Sequence, residues 1–369
     1  MVGISNEEAP LRLLSLGMSV NTFANSQTYV LITPDGGGVR GVSELIILQQ
    51  LMLNIQKYYR LPTIPKPCEV FDMIGGTSTG GLIAIMLGRL QMSVDQVLDE
   101  YTVLSKDVFG EFKATLNGRF KATNLENAIR GMIQQYGDGD PNAKLFAPEN
   151  HCKAFVVSKD ASNVTGPAQL YRTYATGGPD DYLDVTICEA ARATSAAPTF
   201  FKRQEISRQG QTRKLVDGAM GANNPTRLLI AEAQSVFPLS RSVSCIVSIG
   251  TGKKDISDVK APNLFQRIVM PGVPHLSALR AMKDITTDCE AVSEELERRF
   301  YDIPNLYHRF NVERGLEKIG LDEYKQLGVI KSKTIQYLQE VLVEKKAEQA
   351  SFYLLDNATA NTTVEGLGF

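Results

Sequence analysis

The sequence predicts an α/β fold. Two observations carry that expectation. Short apolar runs of strand length alternate with longer stretches at helical spacing. Twice, a glycine-rich turn joins such a run to the start of a helix, at Asp35-Gly36-Gly37-Gly38-Val39-Arg40-Gly41 and at Gly76-Thr77-Ser78-Thr79-Gly80. The chain has 369 residues, enough for one large core or two modest ones, and its 43% hydrophobic and 22% charged content is ordinary for a soluble globular protein.

In chain order, Met1–Pro10 is a polar, acidic tail. The first strand is Leu11–Leu16 or Tyr29–Thr33. Val42–Met52 has helical apolar spacing and follows the first glycine turn. Val70–Ile74 is a strand, and Gly81–Leu87 opens a buried helix after the second turn. Ser93-Val94-Asp95-Gln96 has the form of a capping box, so a helix runs from there through about Leu104. Residues 107–150, rich in Gly, Asn and Lys around one helix (Asn124–Tyr136), form an excursion off the sheet and part of the substrate-facing rim. Further strands are expected at Lys153–Ser158, Gln169–Tyr174, Arg213–Val216 and Ser244–Ile249, and a helix at Pro225–Val236. From His275 to Phe300, Leu276, Leu279, Met282, Ile285, Cys289, Val292 and Leu296 recur near helical spacing. That face packs on the sheet; it is not basic enough for an interfacial helix. Residues 331–350 form a final charged helix, and the tail from Asp356 is expected to be disordered.

The chemistry sits in the turns. A Ser between two glycines, after a strand and before a helix, is the setting of a nucleophile elbow: Gly76 and Gly80 permit the sharp turn, and Ser78 projects where free N–H groups and the helix dipole favour negative charge. Gly36, Gly37 and Gly38 place several N–H groups in a concave nest suited to an anion, again at a helix start. Leu215-Val216-Asp217-Gly218-Ala219 ends an apolar step in a carboxylate on a glycine turn. Nucleophile, anion nest and carboxylate are the parts acyl transfer needs. The three histidines, His151, His275 and His308, lie in unrelated settings. A Ser-His-Asp triad is therefore poorly supported, and a Ser78–Asp217 dyad is the simpler reading.

In this order, D-G-G-G-x-R-G, G-x-S-x-G and D-G-A resemble the motifs of the patatin-like phospholipases. Residues 190–201, Gly221-Ala222-Asn223-Asn224-Pro225 and Ile246–Gly252 add to the likeness, which runs from about Leu11 to roughly residue 315. The resemblance implies a three-layer α/β/α patatin-like fold with a mostly parallel central sheet; beyond the likeness, residues 316–355 are expected to form a C-terminal helical extension. The resemblance also implies a Ser–Asp dyad hydrolase of fatty-acyl esters of lipids that touches membranes or micelles peripherally and needs no metal or cofactor. By motif, Ser78 is the nucleophile, Asp217 the general base, and the backbone of Gly36, Gly37 and Gly38 the oxyanion hole. Gly41, Gly76, Gly80, Gly218 and Ala219 complete the motifs. Arg40 either adds positive potential or braces the loop against a carboxylate.

In that family the first strand runs straight into the glycine loop. Here Leu11–Leu16 is followed by Gly17–Pro34, which contains a second strand-like run. This stretch reads as translated intron. Gly17-Met18-Ser19 can be encoded GGT-ATG-AGT, containing the donor-like string GTATGAGT, and Pro34-Asp35 can be CCA-GAT, containing an acceptor CAG. Splicing would restore Leu-Ser-Leu-Asp-Gly-Gly-Gly in frame. The alternative is a real, family-specific loop.

A net charge of −2 gives no electrostatic case for nucleic acid or for strong attraction to anionic membranes. No apolar run is long enough to span a bilayer, and the N-terminus lacks signal-peptide character. Five scattered cysteines without metal or redox spacing suit a reducing, cytoplasmic setting. Asn163-Val164-Thr165, Asn357-Ala358-Thr359 and Asn361-Thr362-Thr363 match glycosylation sequons by chance. Two other functions remain in view: a non-catalytic lipid-binding module whose site the 17–34 stretch disables, and acyl transfer to an alcohol or thiol. A nucleotide-binding reading of the first loop is weaker, for want of the acidic residue expected about 20 residues later.

Overall fold

The computed structural model describes residues 28–110, 120–178, 183–198, 200–208, 210–253, 289–355 and 362–368. At its centre is a nine-stranded sheet. Its strands are β1 (Thr28–Pro34), β2 (Met73–Thr77), β3 (Lys153–Asp160), β4 (Gln169–Arg172), β5 (Gln204–Arg208), β6 (Gln211–Asp217), β7 (Ser242–Ile249), β8 (Tyr307–Phe310) and β9 (Thr362–Thr363). The order is β5-β6-β3-β2-β1-β7-β8, with β4 also on β3 and β9 also on β7. From β3 to β8 every neighbouring pair is parallel; β4, β5, β6 and β9 are antiparallel additions at the flanks.

The parallel strands are apolar on both faces because helices cover both. In β1, Val30 and Ile32 enter one core and Leu31 the other. The first core is closed by α1 (Gly41–Tyr59), α4 (Val94–Phe109), α5 (Ala122–Tyr136), α6 (Ile187–Thr194) and the helices Leu327–Leu338 and Val341–Tyr353. The second is closed by α8 (Thr226–Val236) and a helix over 289–299. Three layers result, with the mostly parallel sheet in the middle, as the sequence predicts. The short helices α2 (Pro67–Val70), α3 (Thr79–Ala84, continued by a π-helical turn over Ile85–Arg89) and α7 (Ala219–Ala222) complete the frame around the site.

The central strand is Thr28–Pro34, so Tyr29–Thr33 occupies the slot before the glycine loop. Leu11–Leu16, the N-terminal tail and residues 17–27 lie outside the described residues. Val70 closes a helical turn rather than opening a strand. Pro67 starts that turn and Glu69 caps it, its carboxylate accepting the Lys66 N–H at 2.7 Å, so β2 begins only at Met73. The capping box at Ser93 and Gln96 is present, and α4 extends past Leu104 to Phe109. The excursion after α4 folds back through α5, which packs against α4 and α6; residues 111–119 are outside the described set. β5, β8 and β9 were not read from the sequence.

Two expectations near the C-terminus are corrected. The single charged helix expected over 331–350 is replaced by a pair, Leu327–Leu338 and Val341–Tyr353, which pack on α1 and share its core. They are parted at Gln339 and Glu340. Nor are all tail residues loose. Thr362–Thr363 pair with β7, and Val364 and Leu367 are fully buried in the second core, which fixes residues 362–368. Of the expected His275–Phe300 helix, 275–288 lies outside the described residues, while 289–299 is helical and turns Val292 and Leu296 onto the sheet.

Candidate active site

β2 delivers the chain to Ser78, whose backbone stands at φ 55 and ψ −121, a strained conformation for a residue with a side chain. The strain is held by packing on both sides. A Cβ at Gly76 would lie 2.0 Å from the Gly80 carbonyl oxygen, and a Cβ at Gly80 would lie 2.3 Å from that of Pro34, so only glycines let α3 start this close to β1 and β2. The Ser78 N–H donates to Thr194 Oγ1 at 2.9 Å, and the Thr194 hydroxyl in turn donates to the Val157 carbonyl at 2.7 Å. Ser78 Oγ, left free by these contacts, donates to Asp217 Oδ2 at 2.6 Å.

Asp217 ends β6, where its neighbour across the ladder is Ser158 of β3. Its other oxygen, Oδ1, accepts the Ala219 N–H at 2.8 Å. Gly218 makes this turn possible by lying against the Val157 carbonyl. Burial pushes the Asp217 carboxyl up to about 7; the hydrogen bonds from Ser78 and Ala219 oppose the rise.

The glycine loop lies beside this pair: a Cβ at Gly36 would come within 2.9 Å of Ser78 Cβ. The loop carbonyls are tied back. Gly36 O accepts from Asn223 Nδ2 (3.0 Å) and Thr251 Oγ1 (3.3 Å), and Gly38 O accepts from Tyr101 Oη (2.6 Å) and Thr79 Oγ1 (3.2 Å). The three glycines are not equivalent. The Gly36 N–H is engaged by the Asn223 carbonyl at 3.3 Å, whereas those of Gly37 and Gly38 have no acceptor among the described residues. Gly41 opens α1 where a Cβ would strike Thr79 and Tyr101. Arg40 is buried, and its guanidinium donates to the Gly252 carbonyl at 3.4 Å; burial lowers its pKa to about 10, and the nearby charge of Glu44 opposes the fall.

A small cavity of about 60 Å3 adjoins Ser78. Its apolar wall includes Leu104 and Val108 from α4, Leu125 from α5, and Phe200 and Phe201 after α6. Leu125 thus places part of the 107–150 excursion at the rim. The histidines are elsewhere. His151 pairs with Asp72, ahead of β2, at 3.2 Å, and that hydrogen bond raises its pKa; His308 is buried on β8 against the Asn305 carbonyl, and burial lowers its pKa to about 4. His275 is outside the described residues. Among the described residues no three His, Cys, Asp or Glu side chains cluster as a metal site, and no helix is long and apolar enough to cross a membrane.

Motif reading passed over Thr194, Asn223, Thr251 and Tyr101 as individuals. The first three nevertheless lie in the additional stretches whose wording resembles the family, which was the available signal. Tyr101 carried none, being one more apolar position on α4.

The model of the family described as "Patatin-like phospholipase" matches residues 33–230. Human calcium-independent phospholipase A2-gamma is 27% identical over 84% of this chain and 38% of its own length. Phospholipase A I of Arabidopsis thaliana is 26% identical over 76% of this chain and 24% of its own length. Patatin-like phospholipase 1 of Plasmodium falciparum is 26% identical, covering 84% and 47%. The chain therefore spans less than half the length of each of these relatives. Among solved structures, VipD from Legionella pneumophila aligns with a TM-score of 0.35 and 13% identity over 85% of this chain and 67% of its own. With more than half of its residues matched by the family model, from the central strand through the elbow and the carboxylate turn to α8, the chain belongs to the patatin-like phospholipase family.

Proposed function

We propose that the chain is a serine acyl hydrolase that cleaves fatty-acyl esters of lipids through an acyl-serine intermediate. The observation that carries this reading is the 2.6 Å hydrogen bond from Ser78 Oγ to a buried Asp217, on a strained elbow beside a loop with unengaged N–H groups. An ester carbonyl placed over Ser78 is attacked by Oγ as Asp217 Oδ2 takes the hydroxyl proton. The oxyanion is received by the N–H groups of Gly37 and Gly38, and by that of Thr79, the residue after the nucleophile. The alkoxide leaves with the proton from Asp217. Water, deprotonated by the same carboxylate, then releases the fatty acid. Membership of a phospholipase family supports the lipid class of substrate, and peripheral contact with a membrane or micelle is proposed with it. The two side chains and the backbone donors complete this sequence without a metal ion.

The test is labelling of the purified chain by a fluorophosphonate, read by intact mass, together with hydrolysis of a soluble acyl ester. One adduct is expected, lost in Ser78→Ala. Ser78→Ala and Asp217→Asn should each lower hydrolysis by at least about 10³-fold. Wild-type rates in either variant would refute the dyad. A folded chain that binds phospholipid vesicles but takes no label would instead be a lipid-binding module. Acylated product formed with an added alcohol would mark a transferase.

A further inference from the structure

Arg309 has no part in the motifs, yet its side chain ends at the glycine loop. It stands on β8, the strand beyond β7, so to reach the loop the guanidinium must cross β7. It does so at Gly250, where a Cβ would lie 2.6 Å from Arg309 Nη2. On the way Nη1 donates to Ser248 Oγ at 3.0 Å. Nη2 then meets Asp35 Oδ2 at 2.6 Å, with both side chains almost wholly buried.

Asp35 is the hinge between strand and loop. Its N–H is shared by the Ile249 carbonyl (3.0 Å) and Glu44 Oε1 (2.6 Å), and its carbonyl accepts the Gly80 N–H at 3.1 Å. The residue that Arg309 grips is therefore bonded both to the glycine loop and to the helix that carries Ser78. A buried ion pair is weak evidence for stability, because desolvation offsets the attraction. This one is also incompletely satisfied, since among the described residues Arg309 Nε has no hydrogen-bond partner, while the Asp35 carboxylate is held by Arg309 and by a hydrogen bond with the Cys289 thiol. Burial pushes the Asp35 carboxyl up to about 6 and Arg309 pulls it back; burial also opposes the Arg309 charge, but Asp35 outweighs it and the net shift is upward. Glu290 adds a second carboxylate, 3.5 Å from Nη2, held there by Asn311 Nδ2 at 2.8 Å.

We propose that Arg309 is a positioning residue for the proposed reaction: by holding Asp35 across β7 it sets where the Gly37 and Gly38 N–H groups stand relative to Ser78. The inference rests on the acyl-hydrolase reading. It concerns the step in which the oxyanion forms, not the binding of the acyl chain.

The experiment compares wild type, Arg309→Lys, Arg309→Met, Asp35→Asn and the Arg309→Met/Asp35→Asn double variant. It reads kcat and KM for a soluble acyl ester, the rate of fluorophosphonate labelling, and hydrogen exchange of amides 35–41. Misplacing an oxyanion site by ~1 Å costs about 10²-fold in rate. Arg309→Met is therefore expected to lose about that factor in kcat with KM nearly unchanged, to label correspondingly slowly, and to exchange the loop amides faster. Arg309→Lys, which keeps the charge but not the fork, should recover part of the rate. Asp35→Asn should add little on top of Arg309→Met, because both break one contact. An unchanged kcat in folded Arg309→Met, a change in KM alone, or additive losses would overturn the proposal. If Arg309→Met does not fold, the same readings on Arg309→Lys and on Ser248→Ala decide: a kcat loss with faster loop exchange supports it, and wild-type values in both overturn it. A wild type that neither hydrolyses nor labels would refute the functional reading separately. Loop exchange, which needs no turnover, would still show whether Arg309 places the loop.

Discussion

In the proposed reaction Asp217 has to act as a base in surroundings that oppose its charge. Burial raises its pKa to about 7, and the hydrogen bonds from Ser78 and Ala219 only moderate the rise. Two consequences follow at the level of this one side chain. Only the ionised form can take the Ser78 proton, so kcat/KM for a soluble ester should climb with pH up to about 7 and then level. A profile already flat from pH 5 would show that the base ionises normally. The second consequence concerns stability. A carboxyl whose folded pKa lies above its unfolded value of 3.8 favours folding while protonated. That contribution is complete below about pH 4 and is lost as the pH rises through about 7. Asp217→Asn cannot ionise, so in denaturant titrations it should be more stable than wild type at pH 8, by up to about 4 kcal/mol, with the gap closing toward pH 4. A less stable Asp217→Asn at pH 8 would contradict the raised pKa. A more stable Asp217→Asn would mark the proposed base as a residue the fold tolerates at a cost.

At the scale of elements, legibility followed local chemistry. β3, β7, α4 and α8 could be placed because their apolar spacing and caps are local signals, and the Ser78–Asp217 pairing because both turns are written in glycine. β5, β8 and β9 could not be placed. β8 is Tyr-His-Arg-Phe, and its Arg309 finds its partners in Asp35, Ser248 and Glu290, all distant in sequence, contacts that no local pattern announces. The same reasoning bears on β1. Pro34 ends this central strand without an N–H to donate, and pairing of β1 with β2 stops at Ile32↔Ile74. If residues 17–34 are removed, Leu11–Leu16 lead directly into Asp35. Leu16 then stands at the Pro34 position with an N–H, and Ser15 replaces Thr33, whose hydroxyl lies 2.8 Å from Thr226 Oγ1. Leu13 and Leu14 replace Leu31 and Ile32, one for each core. Only Arg12 departs, falling at Val30, whose N–H binds the Asp72 carboxylate at 2.7 Å. The intron reading therefore predicts that transcripts from healthy cells mostly lack codons 17–34, and that the shortened chain folds with higher stability. A cDNA population dominated by the longer form would dispose of it.

Across the whole molecule, five parallel strands bring their carboxyl ends to one edge of the sheet, where ligands of open α/β sheets bind. β1 runs into the glycine loop there, β2 into the elbow, and β7 into the Thr251–Gly252 turn that braces the loop. The helical layer of the larger core forms the wall, and it leaves little room. A cavity of about 60 Å3 is well below the roughly 300 Å3 at which drug-sized ligand pockets begin. For the proposed substrate a long fatty-acyl chain exceeds this volume, so the wall at Phe200, which packs against Phe120, would have to yield to admit it. Turnover of monomeric p-nitrophenyl esters should fall as the acyl chain lengthens from butyryl to palmitoyl. Phe200→Leu trims that wall without leaving a full Phe-to-Ala cavity, so it should speed the long esters several-fold more than the short ones. Chain-length profiles of the two proteins, measured below the micellar range, decide the point. Parallel profiles from a folded Phe200→Leu would mean that the acyl chain lies outside this cavity and that the wall beside Ser78 is only core packing.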